Sequence, residues 1–273
     1  MTRYAWLAAL LLSPSWALAQ DPPEQSPKEE VAKAAKETGK LESYSFKVEI
    51  DVQGGPGGAL GERPPVEGRY NKNEGLYVKI GDYLEVARKG KKLAIKRPDS
   101  DWEEFKPRGG GGGGGGDPAP GAGQMEEFFA QIKAPHEEMD GFEKRFKAIE
   151  KTSETERIGK EDARLYKGDL TDQGVKDSLP FKGLMDGILQ WIPNAQLSGS
   201  AKAWIGENGR ILKYEVVTTI SGDFNGNEFT VDFTRTIGLS DVNDTKAEIP
   251  EEAKKVIETE SAKPKEDKKP EDK

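Results

Sequence analysis

The run SYSFKVEIDV, residues 43–52, decides the fold class. Tyr44, Phe46, Val48, Ile50 and Val52 take alternate positions, with Lys47, Glu49 and Asp51 between them. Side chains of a strand point to opposite faces with period two, so the run predicts a strand with one apolar and one solvated face. Glu228–Leu239 repeats the pattern with Phe229, Val231, Phe233, Ile237 and Leu239. Such strands build an antiparallel sheet with one greasy face, which helices or an apolar ligand must cover.

Before the first strand, Ser26-Pro27-Lys28-Glu29 offers a capping serine, a proline at the first helical position and an acid where a capping box needs one. It predicts a helix over Pro27–Thr38, with Val31, Ala34, Ala35 and Thr38 on one face and Gly39 as its stop. After the first strand comes a Gly/Pro-rich stretch, Gly54–Pro65. Strand patterns then recur at Val66–Lys72, Leu76–Ile80, Tyr83–Arg88 and Lys91–Arg97, with Trp102–Phe105 closing this half. The joints Asn73-Glu74-Gly75, Gly81-Asp82 and Lys89-Gly90 are tight. Short joints favour antiparallel neighbours, because parallel strands need a long crossover.

Gly109–Gly116 is an unbroken glycine run flanked by Pro107 and Asp117-Pro118-Ala119-Pro120. Nothing fixes the conformation of such a run, so residues 107–123 read as a flexible surface loop rather than a phosphate cradle. Met125, Phe128, Phe129 and Ile132 then follow helical spacing. Phe181, Leu184, Met185, Ile188, Leu189 and Ile192 do the same. Between these helices, Thr152–Ile158 and Ala163–Leu170 read as strands. Leu197–Gly206, Arg210–Ser221 and Glu228–Leu239 form a final meander. Asn208-Gly209 supplies a hairpin turn, and Pro250–Ile257 a closing helical turn. On the middle strand, Leu212, Tyr214, Val216 and Ile220 are expected to share a face.

The expected fold is α+β, mainly antiparallel β: a curved half-barrel sheet with helices covering its concave face. The expected organisation is a signal peptide at 1–19, a polar lead-in at 20–26, a single half-barrel domain at 27–257 and a disordered charged tail at 258–273. Arg3, the apolar Tyr4–Leu12 and Ala17-Leu18-Ala19 make the parts of a secretory signal. Its apolar core is shorter than the roughly 20 residues a spanning helix needs. Cleavage removes Arg3 and no acid, so the formal charge of −8 becomes one unit more negative. Acidic balance argues against nucleic acid as a partner. The chain has no cysteine, which excludes disulfides, thiolate metal sites and a lipid anchor on an N-terminal cysteine. The mature protein is expected to be soluble, in the periplasm or outside the cell.

The opening helix running into Leu41-Glu42-Ser43-Tyr44-Ser45-Phe46 resembles the start of the lipoprotein-sorting (Lol-type) carriers. It is also similar to the mycobacterial cell-envelope lipoproteins that bind lipids. Ala203-Trp204-Ile205-Gly206-Glu207-Asn208-Gly209-Arg210-Ile211-Leu212-Lys213 resembles their strand-turn-strand pattern. The resemblance implies an open half-barrel capped by helices that binds acyl chains, with no catalysis. The missing anchor cysteine, the glycine run and the charged tail depart from that pattern, and no residue roles carry across.

The apolar residues expected to line a cavity are Phe46, Val48, Ile50, Leu76, Val78, Ile80, Leu212, Tyr214, Val216, Phe229, Val231 and Phe233. Taken singly, each is better explained as ordinary core. Taken together, these twelve residues from at least four strands are enough to line a pocket wider than two helices fill. Met125, Phe128, Phe129, Ile132, Leu184, Met185, Ile188 and Leu189 are the expected lid residues, methionine being suited to repacking around variable chains. The one histidine, His136, lies in the polar run Ala134-Pro135-His136-Glu137-Glu138 and is expected to be solvated. No catalytic residue, cofactor or metal is expected. Asp241-Val242-Asn243-Asp244 lacks the spacing of a calcium loop and reads as a turn.

Three functions fit. The first is a lipid or acylated-lipoprotein carrier working with membrane-associated donor or acceptor proteins. The second is a non-enzymatic envelope scaffold or protein-binding module with a permanently filled core. The third, ranked last, is a hydrolase of envelope polymers built on a carboxylate pair.

Overall fold

Eleven strands join edge to edge in one open antiparallel sheet. The computed structural model describes residues 25–54, 64–105, 132–179, 189, 192, 194–224, 226–244 and 248–259. The expected signal peptide, the glycine run and most of both expected lid helices lie outside the described residues, as does the chain beyond residue 259.

The first meander is β1 (Ser43–Gly54), β2 (Val66–Asn71), β3 (Gly75–Ile80), β4 (Leu84–Lys89), β5 (Lys92–Lys96) and β6 (Glu103–Glu104). The second is β7 (Glu150–Ile158), β8 (Glu161–Asp169), β9 (Gln196–Gly206), β10 (Ile211–Phe224) and β11 (Asn227–Ser240). Their order across the sheet is β6-β5-β4-β3-β2-β1-β11-β10-β9-β8-β7. The first meander thus runs outward from β1, and the second runs back to meet it. β1 and β11, the two runs with the clearest alternation, are the seam, with Val48 opposite Ile237 and Phe46 opposite Leu239. Both free edges are protected. β6 has two residues, and β7 is charged and mostly exposed.

Register lines the inward side chains up in rows. One row runs Leu84, Ile80, Val66, Val48, Ile237, Tyr214, Ala203 and Tyr166, from β4 to β8. Helix α1 (Pro27–Gly39) lies across this face. Ser26 caps it, accepting from Glu29 N while the Glu29 carboxylate accepts from Ser26 N. Its Val31, Ala34 and Ala35 join the main core with Tyr44, Phe46, Ile211 and Tyr214. The short helix α2 (Pro135–Glu138), a 3-10 turn at Phe142–Arg145 and helix α3 (Asp172–Ser178) add Met139, Phe142 and Val175 to the same core.

Two expectations change. The closing helix, α4 (Glu251–Thr259), packs on the convex face. Ala253 and Ile257, with Ile249 before the helix, meet Ala87 and Ala94 there, two side chains small enough to let a helix approach the sheet. Leu212 also leaves the predicted face. Ile211 pairs with Ile205 and Lys213 with Trp204, so β10 carries one extra residue at this point. A β-bulge shifts the parity of the strand. Ile211 turns inward, and Leu212 packs outside with Ala163, Leu165 and Trp204.

Candidate functional site: the concave apolar face

Part of the concave face is filled. Phe46, Leu76, Val78, Tyr214 and Val216, all expected cavity residues, are buried in the main core. The Tyr214 ring meets Phe142 with centroids 5.5 Å apart. Gly68 lies opposite Phe46 on β2, and the Phe46 ring occupies the space a side chain would need: a Cβ there would stand 2.1 Å from Phe46 Cζ.

The face is less filled toward the end where β1 finishes and the β3–β4 and β10–β11 turns lie. Val48, Ile50 and Ile80 are only half-buried, as are Val66 and Leu84 beside them. Phe229 and Phe233, farther along β11, are also half-buried and border Leu179 and Ile220. Val231 between them is buried. Four adjacent positions of one row, Leu84, Ile80, Val66 and Val48, thus continue into a second apolar group. Val66, Leu84 and Leu197 escaped the sequence reading, although each holds an inward position in an alternating strand.

Of the expected lid residues, Ile132 is half-buried against the main core and Leu189 against the Leu179–Ile220 group. Met125, Phe128, Phe129, Leu184, Met185 and Ile188 lie outside the described residues.

His136 and Glu138 are half-buried rather than solvated, and Glu137 between them stays exposed. His136 Nδ1 stands 2.5 Å from Tyr44 Oη, and its ring lies 4.4 Å from that of Tyr70. Burial pushes the His136 pKa below its ordinary value, although Glu137 opposes the shift. Glu137 is bonded to Arg88 on β4. Burial alone would raise the Glu137 carboxyl, but Arg88 and the Ala134 N–H outweigh it and hold the pKa down. Glu138 accepts from Arg235 Nη2 on β11 at 2.6 Å and from Tyr214 Oη on β10 at 2.9 Å. Three consecutive side chains of α2 therefore tie it to β1 and β2, to β4, and to β10 and β11. Burial pushes the Tyr44 and Tyr214 hydroxyl pKa values up, so both stay protonated hydrogen-bond donors or acceptors.

Sequence reasoning missed Arg235, and the signal was present. The inward series Phe229, Val231, Phe233, Ile237, Leu239 has one gap, and Arg235 fills it. A charge at an inward strand position needs a partner, and Glu138 meets that need.

Asp241 and Asn243 adopt left-handed backbone in a turn, where Asn243 Oδ1 accepts from Glu42 N. Among the described residues no three acidic or histidine side chains converge as metal ligands. On the convex face a depression of about 480 Å³ lies among Glu154, Glu156, Leu165, Lys167, Lys202 and Trp204, beside the cluster that Leu212 joins.

No family model matches the chain, and no curated protein matches it. Among solved structures it is similar to the LolA superfamily protein NE2245 from Nitrosomonas europaea, with 13% identity, 87% of this chain and 100% of that chain covered, and a TM-score of 0.29. It is also similar to a DUF1329 family protein from Desulfovibrio piger, with 8% identity, 85% and 97% covered, and a TM-score of 0.27. These likenesses are loose, and the fold rests on the strand order and register of the sheet itself.

Proposed function

We propose that this protein is an exported, soluble, non-enzymatic carrier that holds the acyl chains of a lipid or acylated lipoprotein between its curved sheet and helical lids. One observation carries the reading. Leu84, Ile80, Val66 and Val48 form a half-buried line, continued by Ile50, Phe233 and Phe229, on a face whose other part is filled by core side chains. Acyl chains laid on such a line gain about 0.8 kcal/mol for each methylene removed from water. The sequence resemblance to lipoprotein-sorting carriers supports the same reading. Among the described residues no helix is long and apolar enough to cross a membrane. Membrane-associated donor and acceptor proteins are the partners such a carrier needs.

The packed zone around Tyr44, Phe46 and Tyr214 favours a second reading, a protein-docking module with a filled core. Native mass spectrometry of the mature protein from its own envelope, before and after lipid extraction, separates the two. Co-purified acyl species that leave on extraction support the carrier. A bare mass that also takes up no added lipid supports the docking module.

A further inference from the structure

Arg235, like Arg88 on β4, puts a charge on the concave face. It sits between Phe233 and Ile237 along β11, with Ile50 and Val216 as its cross-strand neighbours. Glu138 meets its charge through Nη2 at 2.6 Å and Nη1 at 3.4 Å. Its Nε is buried and has no hydrogen-bond partner among the described residues. A guanidinium carries five donors in a rigid fork, so the edge bearing Nε is unused. The side chain keeps 21% exposure while Nε itself is buried, so a ligand meets that edge only when α2 yields. Glu138 belongs to the four-residue α2 rather than to the sheet, so the pairing joins two elements that can separate without breaking a strand ladder.

Resting on the carrier reading, we propose that Arg235 is the headgroup anchor of the cavity and selects amphiphiles bearing a carboxylate or a phosphate. The anion engages the Nε edge of the guanidinium beside Glu138, or replaces Glu138 there. The tail runs past Phe233 to Phe229, a path of about 20 Å at the usual strand rise, and against Ile50 and Val48. An arginine fork matches both anions in a bidentate way. A neutral ester offers the guanidinium one uncharged carbonyl oxygen, whereas an anion offers two charged ones, and hydrogen bonds between ionised partners are about twice as strong as neutral ones.

The test is equilibrium binding of palmitate, methyl palmitate and palmitoyl lysophosphatidate to the full mature chain. Acetate and inorganic phosphate serve as tail-less competitors. The expected result is binding of the two anionic probes about tenfold or more tighter than the ester. In Arg235→Gln the preference should collapse to within about twofold, with ester affinity retained. That variant leaves Glu138 unpaired, so if it fails to fold, Arg235→Gln/Glu138→Gln is measured instead. Equal affinity of the wild-type chain for acid and ester, or an unchanged preference in the folded variant, overturns the anchor and leaves the carrier reading standing. Displacement of palmitate by acetate or phosphate at matching concentration marks a free-anion site and also overturns it. Failure of every acyl probe to bind overturns both readings.

Discussion

Thr38 Oγ1 accepts the backbone N–H of Ile211 at 2.9 Å while donating to the carbonyl of Ala34 at 2.9 Å. Thr38 ends the inward face of α1, and Ile211 is the residue at which the β-bulge interrupts the β9–β10 ladder. The hydroxyl thus satisfies a donor buried at the bulge, in a position from which water is excluded. Replacing Thr38 with valine keeps the shape and removes the acceptor. We expect a loss of about 1–3 kcal/mol, read as a lower urea midpoint. Thr38→Ser, which keeps the oxygen, should lose clearly less.

Gly68 and Phe46 form the second tight relationship. A methyl at residue 68 would collide with the Phe46 ring. Gly68→Ala should therefore cost about 1–3 kcal/mol through overpacking. Combining it with Phe46→Leu, which opens the space, should give a cost well below the sum of the two single changes. Strict additivity in a double-mutant cycle would show that the two sites do not share that space.

The half-buried line and the filled core predict different responses to charge. Leu76→Asp puts a carboxylate at a position 1% exposed and should prevent folding. Ile80→Asp, four residues along at the half-buried end, should keep most of the thermal stability. Its uptake of a fluorescent fatty acid should fall about tenfold, a charge now facing the acyl chain. Parallel loss of stability and uptake in Ile80→Asp would favour the filled-core reading.

His136 makes stability depend on pH. Burial holds its folded pKa below the ordinary 6.5, so on acidification the unfolded chain takes up this proton first. The contribution of neutral His136 is complete above 6.5 and is lost as the pH falls from there toward the folded value. Tyr44, Tyr70, Glu137 and Arg88 are the groups that face it. Glu137 is held below its ordinary 4.5, so its contribution is lost only as the pH falls below 4.5. Between about pH 7 and 5, the fall in urea midpoint should therefore come from His136, and His136→Gln should flatten it. An identical slope in that variant would assign the effect elsewhere.

The strands were legible because their signal is local. SYSFKVEIDV lies wholly within β1, which runs two residues further, and Asn208-Gly209 does join two neighbouring strands. The Ser26 cap and Glu29 box form as the tetrapeptide Ser26–Glu29 predicts. The site was less legible. Alternation places Leu212 with Tyr214, but one extra residue in β10 reverses it, and a bulge leaves no mark in an apolar run. The run around His136 is polar by composition, yet Tyr44, Arg88, Tyr214 and Arg235 from separate strands supply its partners.

By itself the sequence determined the period of each strand, the helix start, the tight turns and hence an antiparallel sheet with one greasy face. Those properties depend on neighbouring residues and backbone geometry alone. Only the tertiary structure decided that β11 closes on β1, that α4 covers the convex side, and which inward positions are filled and which left half-covered. Coverage depends on residues far apart in the chain meeting over one surface, and alternation along a strand contains no term for what lies above it.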